Sequence, residues 1–234
     1  EIAEATGHEV VGRVDPVANN VDASEITEDM ASVADVAIEF STADAVVDNA
    51  RRYSQFGLSA AVGTTGWEND FKNVQSVISK GSSGYLYASN FSLGIQLFIR
   101  LAGQATTLFD SFQDYDLAIF ERHHKRKIDS PSGTALSIAQ MVIKSSSRKG
   151  KVVTERLDRQ IGSNELHVSS IRGGEEPGTH TLLFDSLDDC VELTHRARSR
   201  AALAAGALQG AKWLSDKNRI GMYSIDDFID GILK

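Results

Sequence analysis

Short apolar runs of strand character, each followed by a longer stretch of helical period, repeat through the first third of the chain, and this alternation limits the fold more than any other feature. Residues 34–40 read as a strand, and a helix follows over 43–53 with Ser41 or Thr42 as its cap. Residues 58–62 read as a buried strand, Gly63-Thr64-Thr65-Gly66 as a tight turn, 67–79 as a helix and 85–88 as a further strand. Gly7 closes a short helical remnant, and 8–15 reads as a strand ending in Asp15. Parallel strands need crossover connections, so the pattern predicts an α/β fold: a Rossmann-like, doubly wound parallel sheet with helices on both faces.

The pattern changes after a helix at 93–109, whose Ile95, Leu97, Phe98, Leu101 and Ala105 mark a face for packing. A strand at 116–120, a helix at 133–144 and a polar loop at 151–164 come next, then closely spaced strands at 168–172, 180–185 and 190–196. Short links suit antiparallel neighbours, so this part is expected to be an α+β domain with an open mixed sheet. A helix at 201–214, with Gly206 and Gly210 as a close-packing stripe, is expected to return to the first domain. The expected division is therefore 1–91 with 200–234 as a dinucleotide-binding domain, and 92–199 as a substrate-binding and oligomerisation domain. An uncovered sheet face calls for a symmetric partner subunit.

Composition removes several classes of function. No apolar run approaches the roughly 18 to 20 residues that span a bilayer, and the first residues lack the regions of a signal peptide, so a cytoplasmic protein is expected. The one cysteine, Cys190, excludes an internal disulfide and reads as a buried strand residue. A net charge of -8 repels polyanions, and nucleic acid is not an expected partner.

In dinucleotide-binding folds an acid ending the second strand accepts hydrogen bonds from the adenosine ribose, and Asp15 takes that position. The glycine-rich turn that precedes such a strand is not in the chain, and 1–6 reads as the tail of the helix after it, so the sequence is expected to begin beyond that turn. Pro16 stands where a basic residue would meet the extra phosphate of NADP, which favours NADH, while Arg13 keeps NADPH open. Gly63-Thr64-Thr65-Gly66 offers amides and hydroxyls with little bulk at a strand end, where ligands of open parallel sheets bind.

The densest chemistry lies in 121–135, Glu-Arg-His-His-Lys-Arg-Lys-Ile-Asp-Ser-Pro-Ser-Gly-Thr-Ala. Four permanent positive charges and two histidines fall within six residues, in a chain of negative net charge, and such a cluster attracts a small anion. Directly after it Ser132-Gly133-Thr134 opens a helix whose unpaired amides can hold a carboxylate. Two anion devices side by side point to a small dicarboxylate. A histidine here can donate a proton, and nearby carboxylates would favour its charged form; Lys127 can hold a carboxylate or share in proton delivery. No metal is expected, because His123 and His124 are adjacent and point to opposite faces of a strand, with no third ligand at metal spacing.

The run from Glu121 to Ala135 resembles the signature of dihydrodipicolinate reductases, Glu-x-His-His-x-x-Lys-x-Asp-x-Pro-Ser-Gly-Thr-Ala, at every fixed position. Gly63 to Gly66, Asn90-Phe91-Ser92 with Gly94, Arg172-Gly173-Gly174, and Thr194-His195-Arg196-Ala197 with Ser199-Arg200 also fall in that family's order. Ser89 departs from the alanine or proline common there, and Leu166-His167 is a less usual pair. The resemblance implies NAD(P)H-dependent reduction of 4-hydroxy-tetrahydrodipicolinate, with loss of water, to tetrahydrodipicolinate on the route to diaminopimelate and lysine. It implies His123 as proton donor or acceptor, Lys127 as a second donor, and His124, Gly133, Thr134 and Arg200 as substrate contacts. Gly63, Thr64 and Thr65, with Ala88, Ser89, Asn90 and Phe91, would meet the nicotinamide end, and the assembly would be a homotetramer. His167, His180 and His195 are assigned structural hydrogen bonding only. The competing expectation is a catalytically impaired nucleotide-sensing or interaction protein derived from such an enzyme.

Overall fold

The structure, a computed structural model, describes residues 1–216 and 219–233; Lys217, Asn218 and Lys234, which the sequence assigns to the dinucleotide-binding domain, lie outside the described residues. Two compact units divide the chain, one of Glu1–Ser92 with Ala201–Lys234 and one of Leu93–Arg200.

The first unit runs through α1 (Ile2–Ala5), α2 (Glu28–Val33), β1 (Ala37–Glu39), α3 (Val46–Phe56), β2 (Ala60–Val62), α4 (Phe71–Ile78) and β3 (Gly84–Tyr87). The second holds α5 (Leu93–Asp110), β4 (Asp116–His123), α6 (Gly133–Ser145), β5 (Lys151–Val153), β6 (Glu165–Arg172), β7 (Thr179–Asp185) and β8 (Cys190–Arg196). The chain then returns to the first unit as α7 (Ala201–Leu214), β9 (Gly221–Ser224) and α8 (Ile225–Ile232).

The first sheet is parallel throughout, in the order β1-β2-β3-β9. Alternation along each strand assigns its two faces. Ala60, Val62 and Tyr85 pack with Val46, Ala50 and Tyr53 of α3 and Val74 and Ile78 of α4. Leu86 points the other way, against Gly210 of α7, where an added Cβ would lie 2.7 Å from a Leu86 methyl. Helices thus cover both faces, as a doubly wound sheet requires.

The second sheet is mixed, in the order β5-β6-β4-β7-β8, with β5, β6 and β4 parallel and β7 and β8 antiparallel to their neighbours. One face is covered: Leu117, Ile119, Leu166, Val168, Leu182 and Phe184 meet Ile95, Phe98 and Ala102 of α5 and Ala135, Ile138, Ala139 and Val142 of α6.

Four expectations are corrected. Residues 8–15 form no strand: apart from an isolated bridge between Val14 and Ala23, no neighbouring strand among the described residues takes up their backbone groups, and Val10, Val11 and Val14 are exposed. The polar stretch after α6 begins with a strand, because Lys151–Val153 pairs in parallel with β6 at Glu165–His167. Cys190 is exposed, since it opens the edge strand β8, and slight desolvation by its neighbours together with the Asp185 carboxylate pushes its thiol pKa up. Finally, β9 and α8 lie beyond the last element that the sequence pattern marks; β9 is only four half-buried residues, whereas α8 carries a capping box at Ser224 and Asp227.

Candidate active site

Strand β4 builds the site by carrying its alternation past the end of the apolar core. Leu117 and Ile119 face the helices, so Glu121 and His123 face the same way, and both are buried, Glu121 at 0% exposure and His123 at 7%. Neighbouring strands repeat the change from apolar to polar in register: Val168 pairs with Ile119 and Arg172 with His123 across β6, and Leu182 pairs with Ile119 and His180 with Glu121 across β7. The covered face therefore ends in a cluster of Glu121, His123, Arg172 and His180.

Glu121 connects the cluster. One carboxylate oxygen engages Nδ1 of His123. The other accepts from Nη2 of Arg172 at 2.7 Å and from the backbone N–H of Ser132 at 3.3 Å. Ser132 is the N-cap of α6: its Oγ accepts from the Ala135 N–H at 3.1 Å and lies 3.2 Å from Nε2 of His180. The His180 ring stands edge-on to that of His123, with centroids 5.2 Å apart. Arg172 also donates to the Asp129 carbonyl at 2.6 Å and so fastens the turn between β4 and α6.

Electrostatics differ here from a simple charge count. Burial lowers the His123 pKa, and Lys127 and Arg172 push the same way, so together they outweigh the opposing pull of Glu121. The Glu121 carboxylate does favour the charged imidazole, as expected, but burial is the larger effect and sets the direction. For Glu121 burial acts upward, but Arg172 and His123 outweigh it and the pKa is lowered. Burial depresses His180 further, to about 4. The basic run is also largely paired: Arg126 makes a bidentate contact with Glu175 at 2.9 and 2.6 Å, Arg122 lies 3.6 Å from Glu176, and Lys127 Nζ lies 2.8 Å from Asp129.

Of the other residues singled out from the sequence, His124 follows β4, donates its N–H to the Glu176 carbonyl at 2.8 Å, and has a buried Nδ1 without a partner among the described residues. Gly133 and Thr134 are the first two residues of α6, beside Ser132. Arg200 is exposed at the end of the second unit and takes no part in the cluster's hydrogen bonds. Arg172 and His180 join the site without having been expected there: alternation along β4 signals the shared face of Glu121 and His123, whereas these two arrive through the order of the strands.

The first unit gathers a second group at the carboxyl ends of its strands. Gly63 follows β2 and donates its N–H to the Glu39 carbonyl at 2.8 Å; a Cβ there would lie 2.2 Å from the Phe40 ring, so any side chain at this position requires that ring to move. Thr64 is buried, and its Oγ1 accepts from the Ser41 N–H at 2.9 Å while its carbonyl accepts from Trp67 Nε1 at 2.8 Å; Thr65 is exposed. Ala88 follows β3 and donates to the Val62 carbonyl at 3.1 Å, which brings 88–91 beside 63–65. Ser89 is exposed, Asn90 Oδ1 accepts from the Ser92 N–H at 2.8 Å, and Phe91 is fully buried against Phe40. Asp15 is not hydrogen-bonded to this group: its Oδ1 accepts from the Val17 and Ala18 amides at 2.8 and 2.9 Å, and these bonds lower its pKa.

A metal would have to compete with existing bonds. Glu121, His123 and His180 bring three donor atoms within 4.8 Å of one another, which corrects the expectation that no third ligand stands nearby. His180 reaches the pair from β7 through strand register. Both oxygens of Glu121 are already engaged by His123, Arg172 and Ser132, and a cation would have to displace these contacts beside a guanidinium.

Two family models match the chain: the N-terminal part of dihydrodipicolinate reductase over residues 2–91 and its C-terminal part over 94–229. A 4-hydroxy-tetrahydrodipicolinate reductase of Christiangramia forsetii is 33% identical over 234 residues, covering all of this chain and 93% of that protein. The enzyme of the same name from Archaeoglobus fulgidus is 37% identical over 201 residues, 84% of this chain and 76% of that one. Among solved structures, a dipicolinate-bound dihydrodipicolinate reductase from Paenisporosarcina sp. TG-14 superposes with a TM-score of 0.70 at 21% identity, covering 90% of this chain and 80% of that one, which establishes a shared fold. No helix among the described residues is long and apolar enough to cross a membrane.

Proposed function

This chain belongs to the dihydrodipicolinate reductase family, and from that membership we propose that it reduces 4-hydroxy-tetrahydrodipicolinate to tetrahydrodipicolinate with NAD(P)H, in diaminopimelate and lysine biosynthesis. A hydride and a proton enter and water leaves, so the protein has to grip a dicarboxylate, hold a nicotinamide and supply a proton. The observation that carries the reading is the buried His123, fixed by Glu121 beside the amino end of α6.

His123 is the proton donor in this reading. Burial holds its imidazole toward the neutral form, and the two carboxylates of the substrate bring the negative charge that raises its proton affinity on binding. Lys127 holds one carboxylate and is the second donor; the Gly133 and Thr134 amides at the start of α6 hold the other, with His124 and Arg200 completing the grip. The stretches 63–65 and 88–91 suit the nicotinamide end, because the Ala88 N–H to Val62 carbonyl bond brings them side by side at neighbouring strand ends, where Gly63 adds no side-chain bulk. When bound, the reduced nicotinamide supplies the hydride. Asp15, with Oδ1 committed to its own turn, offers Oδ2 to the ribose, and Pro16 beside it favours NADH over NADPH.

No metal is needed, since the nucleotide and His123 between them supply hydride and proton. The second sheet presents Phe120, Ile171 and Leu183 on the face opposite the helices, which supports a homotetramer formed through that sheet. A cytoplasmic location suits a biosynthetic reductase that depends on the nucleotide pool. The test is oxidation of NADH and of NADPH with freshly generated substrate. Substrate-dependent oxidation, faster with NADH, is expected; none with either nucleotide would overturn the reading.

A further inference from the structure

We propose that Glu121 is the positioning residue that fixes which nitrogen of His123 carries the transferable proton, and that Gly178 keeps that nitrogen clear. The proposal rests on the reading of His123 as proton donor.

A neutral imidazole holds one proton on either of two nitrogens, and the partner of one nitrogen decides the role of the other. Glu121 engages Nδ1 with an oxygen of a fully buried carboxylate. Its lowered pKa keeps that carboxylate ionised, and an ionised carboxylate only accepts, so Nδ1 carries the fixed proton and Nε2 receives and releases the other. Groups from every adjoining element face the ring: Glu121 from its own strand, Arg172 from β6, His180 from β7 and Lys127 from the turn beyond β4. Glu121 is the anion among these four, so it opposes the burial, Arg172 and Lys127 that disfavour an imidazolium.

Nε2 lies against Gly178, where an added Cβ would sit 2.8 Å from it; any larger residue at this position would press on the reacting atom. The same carboxylate also accepts from the Ser132 N–H, so the donor ring and the first turn of α6 are referenced to one group. Such a carboxylate acts through the imidazole it orients and not by touching the substrate.

Glu121→Gln tests this, because an amide keeps the shape and removes the charge. The expected result is a kcat about 10- to 100-fold lower, nucleotide KM within about twofold, and a His123 ring, followed by nitrogen NMR with assignment from His123→Gln, that titrates at lower pH. Unchanged kcat and unchanged titration would overturn the positioning role. If the variant does not fold, the tautomer is read on the wild-type protein: a proton on Nδ1 with Nε2 bare supports the proposal, and the opposite tautomer overturns it. Gly178→Ala is expected to lose turnover while His123 still titrates. Turnover retained in His123→Gln would instead sink the donor reading itself; a dead His123→Gln beside a fully active Glu121→Gln would sink only the present inference.

Discussion

Lys127 Nζ lies 2.8 Å from Oδ1 of Asp129, so the ammonium assigned to the substrate is already held by a carboxylate of its own turn. Lys127 lowers the Asp129 pKa in return, first through that hydrogen bond. Partly exposed pairs of this kind are worth a few tenths to about 1 kcal/mol, enough to aim a side chain and too little to lock it. Asp129→Asn is therefore expected to raise substrate KM by about 2- to 5-fold with nucleotide KM unchanged. Steady-state kinetics with each ligand varied in turn check this, and a lower substrate KM would mean that Asp129 competes with the substrate instead of aiming Lys127.

His180 gives a prediction for acid stability. Its folded pKa of about 4 lies below the ordinary histidine value, so between the two the unfolded chain binds a proton that the folded chain refuses. The stabilisation is complete above the unfolded value and is lost as pH falls toward the folded one. From pH 7 to pH 5 this ring alone should cost about 2 kcal/mol. Urea titrations at the two pH values should show that loss shrinking in His180→Gln; an identical loss in both proteins would contradict the assignment.

Lys149 is 2% exposed and holds three acceptors: the Ser163 carbonyl at 3.1 Å, the Glu165 carbonyl at 2.8 Å and Asp116 Oδ1 at 2.5 Å. It ties the start of β6 to the start of β4, at the opposite end of β4 from His123. Lys149→Met strands these acceptors and should cost about 2 to 4 kcal/mol in denaturant midpoint measurements. Turnover per folded molecule should remain, and a large loss of turnover at full stability would show that the two ends of the strand are coupled.

Gly63→Ala forces the Phe40 ring to move, because the new methyl would lie 2.2 Å from it. Phe40 is 55% exposed and can turn, so stability should change by less than about 1 kcal/mol while the strand-end surface is reshaped. Nucleotide binding followed by fluorescence should weaken about tenfold, and unchanged binding would remove 63–65 from the nicotinamide site.

Part of this site can be read along the chain. Leu117, Ile119, Glu121 and His123 alternate in sequence as they do in the strand, so the burial of the two polar residues is a local property. The partners are not local. Arg172 and His180 reach Glu121 and His123 because β4 lies between β6 and β7, a strand order that their succession in the chain does not reveal. Pairing of the basic run was hidden for a similar reason: Glu175 and Glu176 come from a distant loop whose backbone is bonded to 123–125. In the first unit the strand-helix alternation identified the parallel sheet, whereas 8–15 shows that strand composition without a neighbouring strand does not make a strand.

In the proposed reaction His123 is the group that delivers the proton. The most direct measurement is the turnover of His123→Gln alongside its nucleotide affinity. Turnover should fall by about 10²- to 10⁴-fold while affinity stays within about twofold, because the ring acts on the reacting atoms and not on nucleotide binding. Full turnover in a folded variant would contradict it.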